Sequence, residues 1–243
     1  MSLAGIDVAV LAGGLGTRIA GVLGDTPKVL APVEGRPYLA WLLDWLAGFG
    51  VRRVVLCLGH LADKVETWVA RHQQPDMEIV ISVEPAPLGT AGGLRHARPL
   101  LRSDPALVMN GDTFLAADLG AFLQRHRTAG ADICILCAEV AEAGRYGRVE
   151  LDEDRYIRRF AEKEPGTGPG LINAGVYLFS AAALDRLAAG DARSIEREIF
   201  MAEQPGRIAA EVTRGAFIDI GTPESLAEAA AAFRRIAFAK VTA

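Results

Sequence analysis

The sequence has few of the residues that mark secreted, metal-rich or membrane proteins. Its 243 residues include three cysteines and four histidines, and the histidines show no His-x-x-x-His or similar ligand spacing. An odd number of cysteines, with no export signal at the start of the chain, predicts reduced thiols and a cytoplasmic protein. No apolar run reaches the roughly 18–20 residues that span a bilayer, so we expect no membrane partner.

The chain also lacks an excess of positive charge. It has 26 Lys and Arg against 30 Asp and Glu, which gives a net charge of −4. We therefore expect no nucleic-acid partner, and local cations must do any phosphate binding. Hydrophobic residues make up 51% of the chain, enough for a sizeable core. The length fits one α/β domain, with or without a modest appended lobe.

One cysteine pair needs a separate test. Cys134 and Cys137 form a C-x-x-C motif, but they lie in an apolar run, residues 131–138, that is typical of a strand. Residues three apart on a strand point to opposite faces. The two thiols are therefore predicted to be core residues rather than metal ligands or a disulfide.

Strand and helix patterns alternate in the first half of the chain. Predicted strands cover residues 8–12, 54–58, 77–83 and 106–109, and predicted helices cover residues 35–49, with Pro37 in the first turn, and residues 61–72, with another opening at Gly89. This order predicts a parallel sheet with right-handed crossovers. In such open sheets ligands bind beyond the carboxyl ends of the strands.

After residue 140 shorter strands replace this alternation. The predicted strands are 149–151, 157–162, 171–179 with a glycine break, 208–212 and 217–218. Asp152, Glu153 and Asp154 are typical of a solvated hairpin turn. The predicted helices from residue 119 onward are 119–127, 181–188, 194–201 and 225–239, the last packing on the domain or on a partner subunit.

A glycine-rich loop follows the first predicted strand. Gly13, Gly14 and Gly16 allow positive φ angles and close approach to a ligand, and successive N–H groups in such a turn can bind an anion. Thr17 adds a hydroxyl and Arg18 a permanent charge. Lys28 supplies a second cation after a further loop. These features together predict a polyphosphate site.

Two common phosphate motifs do not fit this loop. A P-loop needs Lys-Ser/Thr directly after its last glycine, where this chain has Thr17-Arg18. A dinucleotide-binding G-x-G-x-x-G needs a third glycine where this chain has Ile19, which weakens an oxidoreductase interpretation. The segment from Leu11 to Arg18, L-A-G-G-L-G-T-R, with the later Pro27-Lys28, instead resembles the signature of the sugar-1-phosphate nucleotidyltransferases.

That resemblance implies a fold and a cofactor. The fold is an α/β, Rossmann-like three-layer sandwich with a mostly parallel central sheet and a smaller β-rich part that binds the sugar. Asp112, in Asn-Gly-Asp, and Asp219, in Phe-Ile-Asp-Ile-Gly-Thr-Pro, match the family's carboxylates for Mg²⁺, a cation that prefers oxygen ligands. Without the resemblance, the first would be a plain turn and the second the approach to a helix capped by Thr222.

The resemblance also implies a nucleotide pocket. The segment E-P-A-P-L-G-T-A-G-G, residues 84–93, resembles a family segment that lines this pocket and reads the base. A helix N-cap with close packing is the alternative for this segment. The implied nucleotide-binding residues are Leu11, Ala12, Gly13, Gly14, Gly16, Thr17, Glu84, Leu88, Gly89, Thr90, Asn110 and Gly111.

A sugar pocket is implied further along the chain. The family's Y-G, E-K and I-N-A-G-V-Y motifs match Tyr146-Gly147, Glu162-Lys163 and residues 172–177. Asn173 and Glu162 would bond sugar hydroxyls, Gly175 would line the pocket and Lys163 would meet the sugar phosphate. Taken alone, Glu162-Lys163 would be a surface ion pair of little energetic value.

These motifs lead to one expected activity. Arg18, Lys28, Asp112 and Lys163 are the expected catalytic residues of an enzyme that joins a nucleoside triphosphate to a sugar 1-phosphate. The motifs are most similar to those of D-glycero-D-manno-heptose 1-phosphate guanylyltransferases. A mannose-specific or uridylyl relative remains an alternative, as does a non-catalytic regulatory subunit.

We expect one domain over residues 1–243, with a nucleotide part to about residue 140, a sugar-phosphate part over about 141–223 and a final helix over 224–243. A homo-oligomer remains open.

Overall fold

A seven-stranded sheet with helices on both faces forms the body of the protein. The computed structural model describes residues 2–72, 74–161, 168–203 and 206–241, with side chains described up to residue 233. The strands are β1 (Asp7–Ala12), β2 (Pro32–Val33), β3 (Arg36–Pro37), β4 (Arg53–Leu58), β5 (Glu78–Val83), β6 (Ala106–Asn110), β7 (Thr113–Leu115), β8 (Ile133–Val140), β9 (Val149–Leu151), β10 (Ile157–Phe160), β11 (Gly170–Phe179), β12 (Ile208–Thr213) and β13 (Phe217–Asp219).

The helices lie between these strands. They are α1 (Ala20–Leu23), α2 (Tyr38–Gly48), α3 (Ala62–Arg71), α4 (Gly89–Ala97), α5 (Leu119–Ala129), α6 (Ala181–Ala189) and α7 (Pro223–Val241), with short 3₁₀ turns at Lys28–Leu30 and Arg98–Leu100 and a π-helical segment at Ile195–Phe200. None of the helices in the described part of the chain is both long and apolar enough to cross a membrane.

The strand order of the main sheet is β12-β8-β11-β6-β1-β4-β5. Strand β1 pairs in parallel with β4 and with β6, and β4 pairs in parallel with β5. Strand β11 is antiparallel to both β6 and β8, while β12 is parallel to β8. The expected mostly parallel α/β sheet is confirmed, and β11 is its one antiparallel member.

Both faces of the sheet are buried, which explains why its strands are nearly continuous apolar runs. Side chains alternate between the two faces, so Val8 and Val10 pack on one side and Ala9 on the other. Helices α2, α3, α5 and α7 cover the first side, and α4, α6 and the π-helical segment cover the second. The predicted three-layer sandwich is therefore confirmed.

The cysteine prediction is also confirmed. Cys134 belongs to the core on one side of the sheet and Cys137 to the core on the other. Both are free and buried. Burial raises the pKa of Cys134 to about 12 and that of Cys137 further still, so neither thiol is a ready nucleophile or metal ligand.

The start of the second helix differs from the prediction. Pro37 was expected in the first helical turn, yet it lies in β3 and the helix begins at Tyr38. The reason is local pairing, since Arg36-Pro37 forms a short antiparallel ladder with Pro32-Val33 that keeps the chain extended.

Helix α7 packs on the domain itself. Its Phe233 is 1% exposed, and its ring lies 6.0, 5.2 and 4.9 Å from the rings of Tyr38, Trp41 and Phe114. At the start of the helix, Thr222 Oγ1 accepts a hydrogen bond from the backbone N–H of Ser225 at 3.2 Å, which confirms the predicted cap.

We predict that Phe233→Ala lowers the free energy of unfolding by about 3–5 kcal/mol, as expected for removal of a fully buried aromatic ring. Urea denaturation followed by circular dichroism measures this change. Met201→Ala is the control, because Met201 is 51% exposed and its loss leaves little cavity. An equal effect of both substitutions would contradict the anchoring role of Phe233.

Candidate active site

The glycine loop connects the carboxyl end of β1 to α1. Of its three glycines, Gly16 takes a left-handed conformation with φ +60°, which a side chain would make costly. The backbone N–H of Ile19 donates to the Gly16 carbonyl at 3.0 Å, and Ile19 is 1% exposed. The residue that breaks the dinucleotide motif thus anchors the loop in the core.

A cavity of about 380 Å³ opens beside this loop, beyond the carboxyl ends of four neighbouring strands, β6, β1, β4 and β5. Its volume lies within the usual range for small-molecule sites. It is lined by Leu11, Ala12, Gly13, Gly14, Leu15, Gly16, Thr17, Arg18, Lys28, Val29, Cys57, Leu58, Ser82, Glu84, Pro87, Gly89, Thr90, Gly93, His96, Asn110, Gly111, Asp112 and Gly221.

Most of the residues expected to bind nucleotide lie on this wall. Leu88 differs from the others: it does not line the cavity in the described structure, and its backbone N–H instead donates to Glu84 Oε2 at 3.2 Å. The Glu84 carboxylate thereby holds the start of α4 against the end of β5. The sequence left two roles open for the segment from Glu84 to Thr90, a wall of the nucleotide pocket and the start of a helix. The structure shows that it does both.

Several wall residues carried no sequence motif. Cys57 and Leu58 end β4, Ser82 lies at the end of β5, and His96 lies on α4. The available signal was topological: β4 and β5 continue the parallel sheet from β1, so their carboxyl ends lie beside the glycine loop. No role was expected for His96, and the structure puts it on the wall.

Asp112 reaches the loop through a close approach of two strands. The backbone N–H of Gly111 donates to the Leu11 carbonyl at 2.8 Å. A Cβ atom at position 111 would lie 2.9 Å from that oxygen, so the contact requires glycine. Lys28 Nζ in turn donates to Asp112 Oδ2 at 2.6 Å. One cation and one carboxylate thus pair at the cavity wall.

Asp219 joins this group from outside the main sheet. Among the described strands, β13 pairs with β7 alone, in a separate two-stranded sheet. In that pair Asp219 is in register with Thr113, the neighbour of Asp112. The two aspartates are therefore brought together by the turn after β6 rather than by the main sheet.

The electrostatics confirm that the two carboxylates are neighbours. Burial raises the pKa of Asp219, and the negative charge of Asp112 raises it further. Lys28 and Arg18 act in the opposite direction. Tyr38, whose pKa burial raises well above 10, also responds to Asp112 and Asp219. The acidic pair thus lies near two cations, Lys28 and Arg18, and near a buried phenol.

Two buried polar atoms near this pair have no hydrogen-bond partner in the described structure, the Tyr38 hydroxyl oxygen and Asn110 Oδ1. Asn110 lies on the cavity wall. Because buried polar atoms in native proteins nearly always have a partner, Asn110 Oδ1 indicates a place for substrate or solvent at the cavity wall. The described residues hold no cluster of three or more His, Cys, Asp or Glu suited to a metal, so the acidic pair is the candidate position for a cation.

The expected sugar residues that the structure describes are not among the residues that line this cavity. Tyr146 packs its ring at 5.2 Å from Phe217, in the strand that ends at Asp219. Gly175, with φ +73°, forms the bulge in β11 where the sequence predicted a glycine break. A Cβ atom there would meet Asn110 Nδ2 at 2.7 Å.

Of two further expected sugar residues, Asn173 lies within β11 and Gly147 lies just before β9. The Asn173 Oδ1 atom accepts a hydrogen bond from the Gly175 N–H at 2.8 Å. Glu162 and Lys163 lie outside the described residues. The sugar site therefore stays a prediction.

Comparison with known proteins gives a consistent result. A mannose-1-phosphate guanylyltransferase of Mycobacterium tuberculosis is 33% identical over 229 residues, 93% of this chain and 64% of that protein. A D-glycero-alpha-D-manno-heptose 1-phosphate guanylyltransferase of Campylobacter jejuni is 30% identical over 221 residues, 90% of this chain and 96% of that protein. The chain thus spans less than two thirds of the first relative.

A solved structure is similar over nearly the whole fold. The crystal structure of HddC from Yersinia pseudotuberculosis complexed with GMP-PN superposes with a TM-score of 0.83 at 33% identity, covering 94% of this chain and 99% of that one. The family model described as "Nucleotidyl transferase" matches residues 8–235. From the glycine loop, the acidic pair and these matches, we conclude that the chain belongs to the nucleotidyl transferase family.

Proposed function

We propose that this protein transfers the guanylyl group of GTP to D-glycero-D-manno-heptose 1-phosphate, releasing pyrophosphate and a GDP-sugar. The observation that carries the proposal is the convergence of the glycine loop, Arg18, Lys28 and Asp112 on one cavity, with Asp219 close enough to interact with the charge of Asp112. The names of the two relatives above agree on the guanylyl group and differ in the sugar. The motif resemblance favours heptose, and mannose 1-phosphate is the alternative.

The chemistry needs positioning and charge stabilisation more than covalent help. A phosphate oxygen of the sugar phosphate attacks the α-phosphorus of GTP, and the bond to the bridging oxygen breaks. Negative charge then builds on the departing pyrophosphate. Arg18 and residues 13–16 line the cavity, and in the proposed mechanism the Arg18 guanidinium and the N–H groups of the loop stabilise that charge.

Lys28 has one role in the free protein and another once the triphosphate is bound. Its ammonium is 2.6 Å from Asp112, and its side chain is 15% exposed. In the free protein each charge offsets the cost of burying the other. When the triphosphate arrives, Lys28 can turn to a phosphate oxygen and leave Asp112 available for a cation.

Asp112 and Asp219 together fit Mg²⁺. The ion is usually held by one or two carboxylates plus substrate phosphates and water, and the pKa of Asp219 is raised by burial and by the neighbouring charge of Asp112. When bound, Mg²⁺ neutralises phosphate charge and orients the two substrates. By the motif resemblance, the sugar phosphate would be bound by Tyr146, Gly147, Glu162, Lys163, Asn173 and Gly175. The buried free thiols suit a reducing, cytoplasmic compartment.

A non-catalytic nucleotide-sugar-binding subunit is the alternative from another class. Such a protein has no need of an acidic pair beside Lys28 and Arg18. In this chain all four side chains are present, and their charges are close enough to interact. Release of pyrophosphate separates the two functions, because only a transferase produces it.

The first prediction concerns substrate choice. In a pyrophosphate-release assay with GTP, UTP, ATP and CTP against heptose, mannose and glucose 1-phosphates, we expect the highest kcat/KM for GTP with heptose 1-phosphate. A preference for UTP would overturn the guanylyl assignment, and a preference for mannose 1-phosphate would change only the sugar. No pyrophosphate from any pair would favour the binding subunit.

The second prediction concerns Arg18. Arg18→Ala should lower kcat by about 10²–10³, equivalent to about 2.7–4 kcal/mol, as for loss of a donor that faces charge developing in the transition state. The KM for the sugar phosphate should change little, because Arg18 faces the leaving group. Arg71→Ala, an exposed change on α3, is the control. Near-normal turnover of Arg18→Ala would reduce this arginine to a loop anchor.

The third prediction concerns the acidic pair. Asp112→Asn and Asp219→Asn should each abolish most activity, and the double variant should be little worse than the worse single one, because residues that act as a unit are non-additive. Each variant should also need more Mg²⁺ for half-maximal rate. The surface change Asp76→Asn, at a side chain 93% exposed, serves as the control.

Melting curves must show that these aspartate variants are folded. If the two losses multiply independently in kcat, or if either variant keeps the Mg²⁺ dependence of the parent protein, the shared site is wrong.

A further inference from the structure

The π-helical segment Ile195–Phe200 carries a carboxylate that connects the two proposed substrate sites. Glu196 Oε2 accepts a hydrogen bond from the Thr90 hydroxyl at 3.0 Å, and Oε1 accepts one from the Tyr177 hydroxyl at 3.4 Å. Thr90 lies on the cavity wall. Asn173 Nδ2 donates to the same Tyr177 oxygen at 3.1 Å. One side chain therefore touches a nucleotide-site residue directly and a sugar-site residue through one intermediary.

Every hydrogen bond in this network has a fixed direction on the nucleotide side. The Thr90 oxygen already accepts from the Ile195 N–H at 2.9 Å, so its proton is directed to Glu196. Ser194 behaves in the same way: its oxygen accepts from the Arg197 N–H at 3.1 Å and its proton goes to Glu196 Oε2 at 3.0 Å. Both hydroxyls need an acceptor, and a carboxylate is acceptor-only.

The direction is equally fixed on the sugar side. Tyr177 is 0% exposed, and burial together with the Glu196 charge raises its pKa well above 10, so it stays a neutral donor. Because its proton goes to Glu196, its lone pair accepts from the Asn173 amide nitrogen. The Asn173 oxygen then accepts from the Gly175 N–H at 2.8 Å. The charge of Glu196 thus determines which way the Asn173 amide faces.

The segment is also tied to the cavity through the backbone. The Arg193 carbonyl accepts from the Ala91 N–H at 3.0 Å, and the Arg193 guanidinium donates to the Pro87 carbonyl at 3.0 Å. The residues on either side of Thr90 are therefore held against the same segment that carries Glu196. These two contacts hold the backbone around Thr90 beside Glu196, and the Thr90 hydroxyl donates to the Glu196 carboxylate.

We propose that Glu196 is a positioning residue that orients Thr90 in the nucleotide site and, through Tyr177, the Asn173 amide in the sugar site. The proposal rests on the proposed function for the identity of the two sites. It requires a carboxylate at position 196, because an amide of the same shape would present a donor where the three hydroxyls need an acceptor.

The decisive variants are Glu196→Gln, Tyr177→Phe and the control Glu198→Gln. Glu198 lies in the same segment, but its carboxylate accepts only from the Arg193 and Ser194 N–H groups among the hydrogen bonds described here. We expect Glu196→Gln to raise KM for both substrates, about tenfold for the sugar phosphate, with kcat changed less than threefold. Tyr177→Phe should raise only the sugar-phosphate KM, and Glu198→Gln neither.

The double variant Glu196→Gln/Tyr177→Phe should be no worse toward the sugar phosphate than the worse single variant, since both act on Asn173 through one path. Glu196→Asp should also raise KM above the parent value, because the shorter side chain cannot reach both hydroxyls. Equal effects of Glu196→Gln and Glu198→Gln, or a loss confined to kcat, would overturn the proposal in favour of a general folding role.

A readout that needs no substrate separates this proposal from the proposed function. The side-chain ¹⁵N–H₂ resonances of Asn173, assigned by their loss in Asn173→Asp, should move in Glu196→Gln and in Tyr177→Phe but not in Glu198→Gln. Unmoved resonances would refute the network even if the parent enzyme is active. Moved resonances in a protein that releases no pyrophosphate would support the network and refute the proposed function instead.

Discussion

The candidate site depends on one backbone contact, the hydrogen bond from the Gly111 N–H to the Leu11 carbonyl at 2.8 Å. It extends the parallel pairing of β1 and β6 one residue beyond the strands. As a result the turn that carries Asp112 is held against the start of the glycine loop. Lys28 can then reach Asp112, and β7, which begins at Thr113, can pair with the strand that carries Asp219. Each later part of the site follows from that approach.

The same geometry creates an electrostatic demand. Two carboxylates in a half-buried site repel each other, and the pKa of Asp219 is raised by burial and then by the charge of Asp112. Lys28 offsets part of the cost by pairing with Asp112, and Arg18 contributes from the loop. The free site is therefore only partly compensated. A divalent cation held by the two carboxylates would reduce their repulsion and neutralise part of the charge of a bound triphosphate.

The local part of this arrangement could be predicted from the sequence. The glycine loop, Asn110-Gly111-Asp112 and the segment beginning at Glu84 follow strands of a parallel sheet, so each motif was expected at the edge where ligands bind. The route of Asp219 could not be predicted in this way. Its strand is three residues long and pairs with another of three residues, and a pattern of that length does not tell one sheet from another.

Residues that act through others were missed for a related reason. His96 and Ser82 reach the cavity only because α4 and β5 lie beside β1, and neither stands in a phosphate motif. Glu196 lies 106 positions from Thr90 along the chain, so no local sequence pattern connects the two residues. In the sequence it belonged to a predicted helix over residues 194–201, and the structure has a π-helical turn capped by Ser194.

The π-helical turn positions a carboxylate that is connected by hydrogen bonds to residues of both proposed substrate sites. A π-turn is uncommon and is found frequently at functional sites. Here the segment carries Glu196. The hydroxyl of its cap, Ser194, donates a hydrogen bond to the Glu196 carboxylate, and the hydroxyls of Thr90 and Tyr177 donate to the same carboxylate. Three hydroxyls converging on one carboxylate make a network in which every member is satisfied, and such networks stabilise a single arrangement. The rigidity of both proposed substrate sites would then have one source, the negative charge at position 196.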